Sequence, residues 1–316
     1  MLRAFKLVDK KLVKIDPLSI DETGFNEAQW IDLVDPTPQE LSLVHSSCSM
    51  VIPSMDEVNE IESSSHHLLT EDCFQLNSLF FHRPGGEPKN TNVAFIYDGT
   101  RLLTLCSHEL PQLRLLHRRN KIGRTHLSNS IEILLALQDI RLEGIGDDTE
   151  QIYHTLGDIQ KEVLSRRSED LESAIDGLAD QEILIGTTRL CLMDAQRDFR
   201  FLLRLPQLRK KHLKQASSLL QDVDSLMPHN NFLSDKADFL LNAALGFINM
   251  EQNRLLKIFS VAALIFLPPT LVGAIYGMNF RDMPELSLSW GYPMALGIML
   301  LVAGLPYVLL KRKGWL

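Results

Sequence analysis

From Ile258 to Phe280 the chain carries no charged residue, a run of 23. As a helix rising 1.5 Å per residue, such a run spans about 34 Å, enough for a hydrocarbon core of about 30 Å. A second uncharged run reaches from Leu286 to Leu310, and its apolar part, 293–310, is 18 residues long, at the short end for a membrane span. Two buried helices of a soluble core are the alternative. Both runs, however, exceed ordinary core helices, and they follow one another directly. The sequence therefore predicts two C-terminal transmembrane helices, at about 256–277 and 292–311. Flanking charges orient them. Arg254 and Lys257 precede the first run, Lys311, Arg312 and Lys313 close the second, and the loop 281–291 holds Arg281, Asp282 and Glu285. The positive-inside rule then places both termini in the cytoplasm and that loop outside. The N-terminal segment carries charges every few residues with no apolar stretch after them, so no secretory signal is expected.

The rest of the 316 residues has to supply a cytoplasmic body. Net charge is −8, which argues against a general nucleic-acid binder. Cys48, Cys73, Cys106 and Cys191 form no CxxC pair, so neither a zinc knuckle nor a redox motif is expected, and reduced thiols fit. Residues 1–127 read as an α/β domain. Ala4–Val8 and Lys11–Ile15 predict a small hairpin, and Trp30–Val34 a short strand. Thr37, Pro38 and Glu40 then spell a capping box that opens a helix through Ser47. A short helix is expected at Asp56–Ser63, a strand at Phe74–His82, and a loop at 83–90. A hairpin is expected from Val93–Tyr97 and Arg101–Cys106 across Asp98-Gly99. Residues 128–230 read as a helical region. Between Glu143 and Glu182 it holds 12 acidic and three basic residues, either a solvated face or a surface that concentrates cations. Pro206 predicts a turn. From Asn231 a helical pattern without Gly or Pro reaches Leu245 and continues into the first span, giving one long helix over 231–280. A basic tail, 312–316, ends the chain.

The first span ends in Tyr276-Gly277-Met278-Asn279-Phe280, and Met283-Pro284-Glu285-Leu286 follows in the loop. Both stretches resemble the signature of the CorA family of divalent cation transporters, and they stand where that family has them, between two C-terminal spans. The resemblance implies an α+β cytoplasmic domain followed by long α-helices and two transmembrane helices. It also implies assembly as a homopentameric channel in a bacterial inner membrane. Such a channel passes Mg2+, with some Co2+ and Ni2+. The first span lines its pore and the second packs outside. Two helices cannot enclose an aqueous path, so the need for several copies also follows from geometry.

The motif suits the ion. Mg2+ prefers octahedral oxygen coordination and gives up water reluctantly. A ring of Asn279 side-chain oxygens, with the backbone carbonyls of Gly277 and Met278, can bind its hydration shell, and neutral dipoles hold the ion weakly enough to release it. Taken alone, Asn279 reads equally as a helix C-cap residue. Counting down the helix by threes and fours from Gly277 gives Ala274, Thr270, Leu267, Ala263, Ser260 (or Phe259), Leu256 and Asn253 as pore-lining residues. Leu267 and Leu256 would form apolar constrictions that gate by dewetting, although each Leu alone also reads as a lipid or helix contact. Pro268 and Pro269 should kink the helix and free backbone carbonyls. Glu285 reads either as a long-range attractor of hydrated cations or as an ordinary solvated charge.

Lys311, Arg312 and Lys313 act at least as a topology determinant. The resemblance also places them around the inner pore mouth. It further implies regulatory Mg2+ bound between neighbouring cytoplasmic domains, for which Asp222, Asp224 and Glu87 are the candidate ligands. His66-His67 reads as surface loop, with metal binding as the alternative. Mg2+ is thus cargo and regulator, no organic cofactor is expected, and the partners are copies of the chain, lipid and divalent cations. Two other readings remain: a zinc transporter of the related ZntB branch, and a membrane-anchored sensor or scaffold. No P-loop, nucleophile elbow or paired catalytic constellation suggests an enzyme.

Overall fold

A computed structural model describes residues 1–15, 25, 27–47, 51–59, 67–69, 73–278, 283–284 and 288–312. It divides into two units, Met1–Leu241 and Asn242–Leu316.

The first unit is built on a seven-stranded sheet. Its strands are β1 (Leu2–Val8), β2 (Lys11–Lys14), β3 (Trp30–Val34), β4 (His67–Leu69), β5 (Phe74–His82), β6 (Lys89–Tyr97) and β7 (Leu102–Cys106). They run in the order β2-β1-β3-β7-β6-β5-β4, with β3 and β7 parallel and the other pairs antiparallel. The period-two alternation of strand side chains sorts the apolar residues into two cores. Trp30, Val34, Val93, Phe95, Leu102 and Cys106 enter one, and Ile31, Leu33, Ala94, Ile96, Leu103 and Leu105 enter the other. The second core is covered by α1 (Pro38–Ser47) and α2 (Met55–Asn59) through Val44, Met55 and Val58. The first is covered by α3 (Pro111–Lys121), α4 (Ser130–Ser165) and α5 (Ser168–Leu202). The unit is therefore a three-layer α/β body.

Local chemistry sets the element ends. Glu40 accepts from the Thr37 amide at 2.8 Å while the Glu40 amide donates to Thr37 Oγ1 at 3.3 Å, a reciprocal capping box at the start of α1. In the β6–β7 turn Asp98 Oδ1 accepts from the amides of Thr100 and Arg101 at 3.0 and 2.6 Å. Burial alone would raise the Asp98 carboxyl, but these amides and the Thr100 and Arg101 side chains outweigh it and hold the group below the usual range. At α4, Asn129 Oδ1 caps the Glu132 amide at 2.9 Å, and Arg166 in the left-handed region (φ 57°) ends the helix.

Several expectations are corrected. β6 begins at Lys89, so the loop after β5 is shorter than 83–90. His67 opens the edge strand β4 rather than lying in a loop, and His66 lies outside the described residues. The long helix does not start at Asn231. It is α6 (Lys210–Tyr276), which contains Pro228. An interior proline removes one helical hydrogen bond. Around it Val223 and Leu233 are buried, and Asn230 donates to Ile185 O at 3.3 Å and Thr188 Oγ1 at 2.9 Å, so packing sustains the helix across the defect. Residues of α6 up to Leu241 belong to the first unit and the remainder to the second.

Candidate functional site

The second unit contains the end of α6 and the helix α7 (Gly291–Arg312), each long and apolar enough to cross a membrane. At about 100° per residue, the half-buried residues of α6 (Val261, Ala262, Ile265, Pro268, Pro269, Val272, Gly273 and Tyr276) fall on one face. α7 turns a matching half-buried stripe made of Gly291, Ala295, Met299, Val302, Ala303, Pro306 and Leu310. The two helices meet at Gly273, where a Cβ would lie in ordinary van der Waals contact, 3.4 Å from Met299 Cε.

The opposite face of α6 is exposed among the described residues, although at its lower end Asn253, Leu256 and Ser260 line a groove of about 640 Å³ together with Leu310 of α7. Leu256, Ser260, Ala263, Leu267, Thr270 and Ala274 are all exposed and share that face, with Asn253 at its edge. Leu256 and Leu267 are 63% and 65% exposed and belong to a continuous exposed apolar face of the kind that lipid or another copy covers. The two hydroxyls on this face are turned back on the helix. Ser260 Oγ donates to Leu256 O at 2.7 Å, and Thr270 Oγ1 donates to Phe266 O at 2.9 Å and Leu267 O at 2.8 Å. With their protons so committed, these oxygens offer only lone pairs outward, which suits the water shell of a cation. Pro268 and Pro269 carry no N–H, so the carbonyls of Leu264 and Ile265 lack their usual donors, yet α6 runs through both without interruption.

The helix ends at Tyr276. The Gly277 amide donates to Gly273 O at 2.9 Å, and the Met278 amide shifts to Ile275 O at 3.2 Å, a tightened last turn. A Cβ on Gly277 would lie 3.1 Å from Gly273 O, so glycine is what lets the backbone close there. The Gly277 and Met278 carbonyls lie past the last helical turn, where α6 supplies them no amide. Asn279, Glu285 and Lys313 lie outside the described residues. Lys311 and Arg312 are exposed in the last turn of α7, where positive charge complements the helix dipole.

In the first unit, Glu87 is exposed in the β5–β6 turn, and Asp222 and Asp224 are exposed on α6. Asp224 Oδ1 accepts from Gln196 at 2.7 Å. Burial, then the charges of Glu143 and Asp222, push the Asp139 carboxyl on α4 above its ordinary range. Sequence reasoning did not single out Asp139 or Glu143. Their spacing of four on one helix was the available signal. Among the described residues no three His, Cys, Asp or Glu side chains are placed to hold a metal ion.

A protein-family model described as "CorA-like Mg2+ transporter protein" matches residues 25–312. The "Magnesium transport protein CorA" of Haemophilus influenzae is 40% identical over 318 residues, with both chains covered in full. Its namesake in Pasteurella multocida is 41% identical, again with both chains covered in full. The complete structure of the CorA magnesium transporter from Methanocaldococcus jannaschii matches with a TM-score of 0.80 at 18% identity, covering 100% of this chain and 99% of that one, a likeness of fold.

Proposed function

The chain belongs to the CorA-like family of Mg2+ transporters, and from that premise we propose that copies of it assemble, as a homopentamer, into a Mg2+ channel. The observation that carries this reading is the uncovered face of α6. Leu256, Ser260, Ala263, Leu267, Thr270 and Ala274 lie opposite the face that α7 covers, as pore-lining residues must when the second span packs outside. Copies of α6 arranged about an axis put this face around a water-filled path, with hydroxyl lone pairs at Ser260 and Thr270 and apolar rings at Leu256 and Leu267.

At the outer end, Gly277, Met278 and Asn279 form the selectivity site. Its neutral oxygens hold hydrated Mg2+ through the ion's own waters, and Co2+ and Ni2+, of similar charge, pass less freely. Glu285 draws cations toward the loop. Lys311, Arg312 and Lys313 stand at the inner face of a bacterial inner membrane, with both termini cytoplasmic. Intracellular Mg2+ closes the channel by binding between first units of neighbouring copies, at Asp222, Asp224 and Glu87. The zinc-transporting alternative is not favoured, because relatives at about 40% identity carry the magnesium name.

The test is Mg2+ entry into proteoliposomes that enclose a Mg2+-sensitive dye. Wild-type protein should admit Mg2+, and Asn279→Ala should reduce entry to the level of empty vesicles. Entry that Asn279→Ala leaves intact would remove the filter from this motif, and no wild-type entry with an intact oligomer would favour a sensor or scaffold.

A further inference from the structure

Three arginines cluster where α5 ends: Arg197 and Arg200 lie one turn apart in the helix, and Arg204 lies in the turn that follows Leu202. With Met193 and Phe201 of the same stretch and Met227 of α6, they line a groove of about 490 Å³. Like charges at this spacing destabilise a helix unless something offsets them. Little in the chain does. Arg197 Nη2 reaches Asp194 Oδ1 at 2.5 Å, but Asp194 also serves Arg141 through its other oxygen, at 2.7 Å. Arg197 Nε is buried without a hydrogen-bond partner. No ion pair is found for Arg200 or Arg204 among the described residues. The carboxylate of Asp224, at the groove's edge, is engaged by Gln196.

We propose that this groove binds a polyphosphate anion with an apolar body, of the nucleoside triphosphate class. Guanidinium forks match phosphate oxygens in geometry as well as charge, and three of them lining one groove suit a chain of phosphates better than a single anion. The thioethers of Met193 and Met227 and the Phe201 ring supply a soft, adaptable wall for a planar base. The orphaned Arg197 Nε gains an acceptor on binding. This assignment is independent of ion conduction.

The experiment uses the full chain in detergent and Mg2+-free buffer, titrated by calorimetry with the sodium salts of ATP, tripolyphosphate, inorganic phosphate and sulfate at matched ionic strength. ATP should bind saturably and more tightly than tripolyphosphate, with phosphate and sulfate far weaker. Arg200→Gln and Arg204→Gln, both at exposed positions, should each weaken ATP by about tenfold, the loss of one charge-assisted contact. Arg189→Gln, an equal change of net charge outside the groove, should leave affinity unaltered. Equal affinity for ATP and tripolyphosphate would overturn the nucleotide assignment. Binding that sulfate matches, or that Arg189→Gln weakens as much as Arg200→Gln, would overturn the site altogether.

Discussion

Arg141 is fully buried on α4 and faces two buried carboxylates of α5, with Nη2 at 2.7 Å from Asp194 Oδ2 and Nη1 at 2.9 Å from Asp198 Oδ2. The same carboxylates take the Leu79 amide at 2.7 Å and the Ser78 hydroxyl at 2.7 Å, both from β5. Phe80 lies under the guanidinium, 5.3 Å from its ring centroid. One arginine thus fastens both long helices to the sheet. Removing it takes the Arg141 cation from buried Asp198 and leaves Asp194 with Arg197 as its ion-pair partner, so Arg141→Met should cost about 3–5 kcal/mol. Thermal unfolding of the full chain followed by near-ultraviolet circular dichroism checks this, and a loss below 1 kcal/mol would mean the pair is solvated. The sequence shows none of this, because Arg141 and its partners lie more than fifty residues apart and a single arginine within an apolar stripe reads as a surface break. The Tyr276–Phe280 motif is the reverse case. Its residues are contiguous, so the candidate filter was legible without any fold, although Asn279 itself lies outside the described residues.

Elements with strong local signals were legible and those fixed by tertiary packing were not. The Thr37 capping box and the β6–β7 turn are written in short range, and both are present. α3 escaped notice, though Pro111 at its start and buried Leu113, Leu116 and Asn120 mark it. The start of α6 was misplaced because Pro228 looks like a boundary, while its partners on α5 come from elsewhere in the chain. Two predictions belong at this scale. If Leu256 and Leu267 form dewetting gates, Leu267→Asn should raise Mg2+ entry at high internal Mg2+, where the proposed regulation closes wild type, and unchanged entry would place the gate elsewhere. The second concerns acid. Asp98 and Glu132 titrate below their ordinary range in the fold, Glu132 because bonds from Lys211 and the Ser128 amide outweigh burial. Their contribution is present above an unfolded pKa of about 4 and is lost as pH falls through the folded values. Burial, and then nearby cations, depress His82 and His117. There the unfolded chain takes up protons first, so stability already declines as pH drops below about 6.5. The melting temperature should fall in these two stages, and a flat profile between pH 7 and 5 would contradict the histidine part.

At the scale of the whole molecule, the division into an α/β body and two consecutive apolar helices follows from charge distribution alone. What the sequence leaves open is which face of α6 is free, since helical spacing gives a register but not a side. α7 supplies that: beside it Ile265, Val272 and their neighbours are half-buried, while Ala263, Leu267, Thr270 and Ala274 are left exposed. The central claim is that ions move along the bare face, and cysteine accessibility tests it most directly. The background is favourable, because burial pushes the thiols of Cys106 and Cys191 up to about 12 and leaves them unreactive, so only Cys48 and Cys73 need replacing by serine. Single cysteines would be placed at Leu256, Ala263, Leu267, Thr270 and Ala274, and at Val261, Ile265 and Val272. Mg2+ entry would be followed before and after a cationic thiosulfonate reagent. Block at the first set with the second set silent is the predicted result, and block at the second set with the first silent would contradict the account.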